Sequence, residues 1–546
     1  MSSSRTCGCC VCPAHARQVS DTDAQGPGGA AWAGPAREHL ELVVAWLDGP
    51  DAMGAGHDEL EARLQVDSRE QYRLLLQGHL DERAAREQRR EDITDSSGAA
   101  RMRVENGHQR TLETVFGPVI VTRKAYRASR TEPITHEETT NETGPVRQVV
   151  GNLYPADAVL NLPPVRQSAG LARLAAIEAA RGSFGDAQEA IERATGVKVG
   201  KRQVEGLARR AAADVDAFYA ARRPEPCPEA VLGMQCDGKG IVMRPGHLRP
   251  GTAKAAAKSA TKLATRLSPG EKHGRKRMAE IVAVYDLQPA PRTIADILPG
   301  HRTSSRARPQ SRQAHQPGPV VTGKWLHANL TDNIPAVIAA MFDEAERRDP
   351  AHERTWVALV DGNRQQIDAI HDQATTRGVQ VSIVIDLVHV LEYLWKAAWT
   401  FFYPGDHDAE SWVASHAQTI LAGRAIDAAL TITHQADAGG FRGSERTGAD
   451  EAVAYLTRKA PYLDYATALA KGWQIATGII EGAARYLIKD RMDITGARWT
   501  TPGAEAVLRL RAIIANGDFD TYWQWHQQQE LRHNHLDHYQ QLDLAA

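Results

Sequence analysis

Two apolar runs end alike, in an aspartate followed by a glycine: EAVLGMQCDGKGIVM at 229–243 holds Asp237, and TWVALVDGN at 355–363 holds Asp361. Asp-Gly alone is a common turn dipeptide. Its placement gives it weight. Val357, Leu359 and Asp361 share one strand face by period two. An ionised carboxylate at the end of an apolar strand must be solvated, paired or bound to metal. In open α/β sheets, ligand sites lie just beyond such strand ends. A third acid, Glu481, sits in the apolar flank IATGIIEGAARYLIKDRM, with Arg485 and Lys489 four and eight residues later. On a helix that spacing keeps all three on one side. The chemistry such a set suits is metal-dependent phosphoryl transfer beside nucleic-acid phosphates. The plainer reading of Glu481 is an i,i+4 pair with Arg485 on a surface helix.

For Asp237 and Asp361 to meet, their strands must lie side by side in a mixed sheet. The pattern allows it. Strands are expected at 229–243, 278–290, 324–330, 355–363 and 379–386, with helices at 333–348 and after Asp361. That order, β-β-β-α-β-α-β and then a helix, reads as a three-strand meander followed by α/β crossovers. Residues 390–470 are helical throughout and form an all-α insertion; a last helix covers 474–492.

Two segments carry cations suited to a phosphate backbone. In the region 165–225, Ser183 caps a helix ending near Gly196, and a second helix begins at Lys201. Helix, short turn and second helix make a helix-turn-helix, with Lys201, Arg202 and Arg209 as candidate DNA contacts. An ordinary helical hairpin with a basic face fits the same pattern. Residues 244–277 hold ten Lys or Arg against one acid, Glu271. Lys254, Lys258, Lys262 and Arg266 recur every fourth residue, and Arg275 and Lys276 follow. Like charges at that spacing destabilise a free helix, so a counter-anion is expected, and DNA phosphate fits.

The remaining segments are plainer. Residues 1–36 read as a disordered tail, 37–109 as a helical region, 110–164 as a β-hairpin about Gly117-Pro118 with an irregular linker, 226–389 as the first part of the core, 471–515 as its closing helix, and 516–546 as a polar tail. His533, His535 and His538 read as solvated residues of that tail. Cys7, Cys9, Cys10 and Cys12 stand too close together for a usual structural zinc site. With 546 residues, 42% of them hydrophobic, wholesale disorder is excluded. No run approaches the ~18 apolar residues of a membrane span. Six cysteines make no disulfide scaffold, and with no apolar signal segment a cytoplasmic protein is expected.

The chain from about 110 to 525 resembles an insertion-sequence transposase of the ISKra family. The stretches that carry the resemblance are NLYPADAVLNLPP, EAARGSFGDAQEAIERATGVKVGKRQVE, GMQCDGKG, GEKHGRKRMAEIVAVYD, ALVDGN, IDLVHVLEYLWKAAW and GIIEGAARYLIKDRMDITGARW. The family is of the DDE type, related to Mutator-like transposases, and the resemblance implies an RNase-H-like catalytic core. Its three acids fall on Asp237, Asp361 and Glu481, which would hold two Mg²⁺ or Mn²⁺ ions. Asp386 and His389 match a D-x-x-H element of the Mutator-like enzymes, and 390–470 resembles their inserted domain. Trp499, in TGARW, is a candidate for stacking on a base at the transposon end, with core packing the favoured reading. In one respect the chain departs from the family: residues 128–150 contain no cysteine where relatives carry a Cys-rich segment. The function implied is cleavage of transposon ends and their transfer to target DNA, with a homo-oligomer expected in the DNA complex. The alternatives are a DNA-binding regulator or inactive transposase remnant without catalysis, and a structure-selective nuclease on the same fold.

Overall fold

The structure is a computed structural model that describes residues 31–127, 151–224, 227, 230–259, 275–298, 316–494 and 496–544. The chain is a mixed α/β protein built around one mixed sheet of five strands. Order begins earlier than expected. Ala31–Ala33 form a 3-10 turn, and α1 (Gly34–Leu47) starts where a disordered tail was expected; Ala36 is buried. A long helix, α2 (His57–Arg86), runs alongside a hairpin of β1 (Arg103–Thr114) and β2 (Gly117–Arg127). The hairpin starts seven residues before the expected boundary at 110. Thr114 pairs with Gly117, so Val115 and Phe116 make the turn. Gly117 has φ of 121°, a region that penalises any residue with a Cβ.

The helix pair is where the sequence placed it. In α3 (Ala169–Arg181), α4 (Phe184–Thr195) and α5 (Lys201–Ala211), local signals set the boundaries. Ser183 Oγ accepts from Asp186 N at 3.1 Å and Asp186 returns a bond to Ser183 N, a capping box. Gly196 closes α4 in the left-handed conformation. These helices do not form a domain with its own core. Leu171, Ile191, Val204 and Leu207 belong to the hydrophobic core that also contains the central sheet.

The central strands are β3 (Val231–Val242), β4 (Lys276–Gln288), β5 (Val320–Asn329), β6 (Trp356–Val360) and β7 (Val381–Ile385). Their order across the sheet is β5-β4-β3-β6-β7. β4 runs antiparallel to both neighbours; β3, β6 and β7 are parallel. The meander and two crossovers are therefore the observed connectivity. Between β3 and β4 a short helix, α6 (Pro250–Ser259), opens the basic segment. α7 (Ile334–Arg348) and α8 (Arg364–Arg377) make the crossovers and pack together.

After β7 come α9 (Leu387–Phe401), α10 (His407–Leu421), α11 (Ala425–Ala438) and α12 (Thr447–Lys459), with no strand among the described residues of 390–470. The expected lobe is all-helical, but its buried residues Leu394, Ile420, Ile432 and Leu456 continue the core of the sheet. The chain returns through α13 (Gly478–Ala484), a π-helical turn at Arg485–Lys489, and α14 (Thr501–Ala515), so the closing segment is two helices and not one.

The polar tail expected at 516–546 is folded. α15 (Phe519–Asn534) buries Phe519, Tyr522 and His526, and Tyr539–Gln541 pairs with Thr94–Asp95. His535, expected to be solvated, is buried and bonds to the Leu162 carbonyl at 2.8 Å. No helix among the described residues is long and apolar enough to cross a membrane. Cys227 and Cys236 are free thiols; the four N-terminal cysteines lie outside the described residues.

Candidate active site

Parallel pairing of β3 with β6 sets Gln235 against Leu359. Asp237 stands two residues beyond Gln235 on β3, and Asp361 two residues beyond Leu359, where β6 has ended. Asp361 lies just past the last residue of β6, so it is a strand-end group, as in other open α/β sites. Its Oδ1 accepts from Asn363 N at 2.7 Å, which fixes the turn into α8. Asp237 Oδ1 accepts from Gly238 N at 2.7 Å.

The third acid reaches the site through a tether that spacing alone does not reveal. Gln235 is buried beside the first aspartate, and its Oε1 accepts from Ile480 N at 2.9 Å. Its Nε2 donates to Tyr285 Oη and Gln474 Oε1. This network pins the start of α13 across β3, and the next residue is Glu481. Asp237, Asp361 and Glu481 then line one cleft of about 370 Å³, together with His389, Arg485 and Lys489. The π turn at Arg485–Lys489 begins four residues after Glu481, and such turns recur at functional sites.

Burial pushes the Asp237 carboxyl above its usual range, and the Asp361 charge adds to the push. Cys236 is driven up by burial and the surrounding acids. A fourth carboxylate escaped the sequence reading. Glu280, on β4 directly opposite Gly238, is buried and bonded to Gln366 of α8 at 3.2 Å. Burial raises it, and Asp237 and Asp361 raise it further. It projects from the face opposite the Gln235 network, because the two positions differ in strand parity.

No known protein family and no curated protein matches the chain. The site's chemistry therefore rests on its geometry.

Asp386 caps α9 and is fully buried. Oδ1 accepts from Val388 N and Thr477 N, both at 3.2 Å; Oδ2 accepts from Thr477 Oγ1 and bonds His389 Nδ1, both at 2.9 Å. Burial alone would raise this carboxyl, but the bonds from His389 and Thr477 outweigh it and hold it low. The same bond lifts His389 to about 8 against the opposing effect of burial. Thr477 Oγ1 also lies 3.3 Å from Glu481 Oε1.

One consequence differs from expectation. Among the described residues, the trio of candidate donor atoms lying within 4.8 Å of one another is Asp386, His389 and Glu481, not the three predicted acids. Asp386 has both oxygens doubly engaged, so within this trio it positions its neighbours. By contrast Asp237, Asp361 and Glu481 each engage a single oxygen, among the described residues, and leave the other without a protein donor.

The predicted DNA contacts divide. Lys201, Arg202 and Arg209 are exposed on α5, whose other face buries Val204, Leu207 and Ala208. Arg485 and Lys489 line the cleft. Arg275 and Lys276 are exposed at the carboxyl end of β3, where Lys276 pairs with Val242, five residues past Asp237; Lys276 Nζ stands 3.7 Å from Asp493. Lys254 is exposed on α6; the Lys258 side chain, Lys262 and Arg266 lie outside the described residues.

For Trp499 the core-packing reading holds and the base-stacking candidate falls. The residue is 5% exposed, forms a β-bridge with Met243, donates its indole N–H to Met492 O at 3.0 Å, and carries the Arg491 guanidinium 4.7 Å from its ring centre. It has no face to offer a base. Trp499→Ala is expected to cost about 3–5 kcal/mol of folding stability, the usual range for a buried aromatic. Urea denaturation checks this; a change below about 1 kcal/mol would return the residue to the surface role.

Proposed function

We propose that this protein is a DDE-type DNA transposase with an RNase-H-like core, cleaving transposon ends and joining them to target DNA. The observation that carries the reading is that Asp237, within β3, and Asp361, just past the end of the adjacent parallel β6, line one cleft with Glu481, which follows a helical insertion. The strand order, with the second strand antiparallel between the first and third, supports it.

The donor set fits hard divalent cations. Three carboxylates, each with an oxygen unclaimed by protein donors, suit Mg²⁺ or Mn²⁺ rather than zinc. When bound, such ions supply the Lewis acidity of phosphoryl transfer. Asp237, Asp361 and Glu481 would hold them. Arg485 and Lys489 attract the phosphate backbone to the cleft. Asp386 fixes the His389 ring through Nδ1, leaving Nε2 available to exchange a proton in the cleft. Attack by water on the scissile phosphodiester breaks its P–O3′ bond and leaves a 3′-hydroxyl and a 5′-phosphate; attack by that hydroxyl on a target phosphodiester forms the new P–O bond, breaks the target P–O3′ bond and releases a target 3′-hydroxyl.

The test is incubation of the full chain with a plasmid carrying the DNA that flanks its gene. Nicking and joining are expected with Mg²⁺ or Mn²⁺ and not with EDTA. Tight DNA binding without cleavage in either metal would favour the regulator or remnant.

A further inference from the structure

A second cleft, of about 480 Å³, adjoins the carboxylate cleft across the Asp361-Gly362 peptide. It lies within the range of small-ligand sites. Its walls come from α8, α9 and α12, and from Tyr462 just beyond α12. His389 and Tyr393 are four apart on α9, so one helix face serves both clefts. Tyr393 stacks on Tyr455 with ring centres 3.9 Å apart, and Tyr455 Oη donates toward the Asp361 carbonyl at 3.5 Å. Tyr462 Oη bonds His371 Nε2 at 3.1 Å. Gly362 forms the shared rim with φ of 96°, and a Cβ there would come 3.1 Å from Tyr455 Oη.

The charge of this cleft is uneven. Arg364, Arg458 and Lys459 line it against one lining acid, Asp368, which pairs with Arg364 at 3.4 Å. Arg458 Nε bonds only the Ala454 carbonyl of its own helix, and half-buried Lys459 has no ion pair among the described residues. Asp361 and Asp368 attract the partly buried Lys459 ammonium without pairing with it, so a closer anion can join it. Aromatic walls with cations at the rim suit a nucleotide: rings for the base and cations for the phosphate.

We infer that this cleft is a subsite for an unpaired nucleotide of the DNA strand whose neighbouring phosphate lies at Asp237, Asp361 and Glu481. The inference rests on the DNA reading proposed above. An unpaired nucleotide is specified because a base held within a duplex has no free ring face to offer the tyrosines. The subsite then fixes the register of the strand relative to the acids.

The experiment measures anisotropy of the full chain with two probes, a 20-nucleotide oligothymidylate and a blunt mixed-sequence duplex of equal length. Wild-type protein binds both. Tyr462→Leu and Lys459→Gln each weaken oligothymidylate binding by roughly tenfold, the size of one lost stacking contact, and change duplex binding by less than about twofold. Exposed Arg458→Gln weakens the same probe and guards against a folding artefact, with thermal melts of all variants as a control. Loss of both probes alike would make the cleft a duplex-phosphate contact and overturn the inference. Unchanged oligothymidylate binding in all three variants, or wild-type binding of the duplex alone, would overturn it and leave the DNA reading standing. Wild-type binding of neither probe would remove the DNA reading itself.

Discussion

Asp361→Asn is expected to lower Mg²⁺-dependent strand cleavage by at least ~10³-fold, the scale on which a single electrostatic contact to a transition state is felt. The amide is isosteric, and its Oδ1 can still accept from Asn363 N, which holds the turn after β6. What disappears is the charge, and with it a hard anionic donor. The Asp237 carboxyl, which the Asp361 charge helps to push up, should relax toward its usual value, so loss of activity cannot be assigned to a displaced Asp237. DNA affinity is expected to stay within about twofold or to tighten, because a negative charge leaves the cleft proposed to receive phosphates. The measurement is cleavage and joining of the flanking DNA, with anisotropy on the same preparation. Cleavage within about tenfold of wild type, with DNA binding intact, would mean that Asp361 is not part of the reacting centre. The Asp386, His389 and Glu481 trio would then be the set to replace next.

The part of this site that local pattern could reveal was revealed. The β6 run does end at Asp361-Gly362, whereas β3 continues through Asp237-Gly238 to Val242, because its pairing with β4 carries the strand past the glycine. Glu481 stood out because its neighbours are apolar. Glu280 did not, because MAEIVAVYD reads as an ordinary buried strand, and the bond that explains its acid comes from Gln366, 86 residues away. Gln235 and Thr477 were invisible for the same reason: their partners are 245 and 91 residues distant. For Trp499 the sequence left base stacking and core packing both open, and its bridge to Met243 decides for the core. The tyrosine-lined cleft draws on three helices of the chain, and no single window contains it. For the helix pair, local capping chemistry gave the boundaries, but only the burial of Val204 and Leu207 in the common core showed that it is no free-standing module.

Ending the chain after Ala515 is expected to abolish folding, although composition alone makes the last 31 residues look dispensable. Gln and His dilute the apolar signal there. The helical stripe survives: Phe519, Tyr522 and His526 lie three and four residues apart and are all buried. Tyr522 Oη donates to Ala211 O at 2.6 Å, and its ring packs edge-on against Phe218 with centres 5.6 Å apart. His526 bonds Asp214 at 2.6 Å. Asn516, at the end of α14, donates to Tyr219 Oη and Leu326 O and accepts from Leu326 N, tying the edge strand β5 to the helices. Losing one buried aromatic costs about 3–5 kcal/mol, while a whole domain holds only about 5–15. Two buried aromatics and the Asn516 network together approach that total. The truncated chain is therefore expected to be insoluble, or soluble without a cooperative thermal transition. Because a truncation can fail for unrelated reasons, Tyr522→Ala supplies the graded test: about 3–5 kcal/mol less stability in urea, with DNA cleavage retained at low temperature. A Tyr522→Ala protein within about 1 kcal/mol of wild type would show that α15 rests on the core without holding it, and the truncation would then be expected to fold.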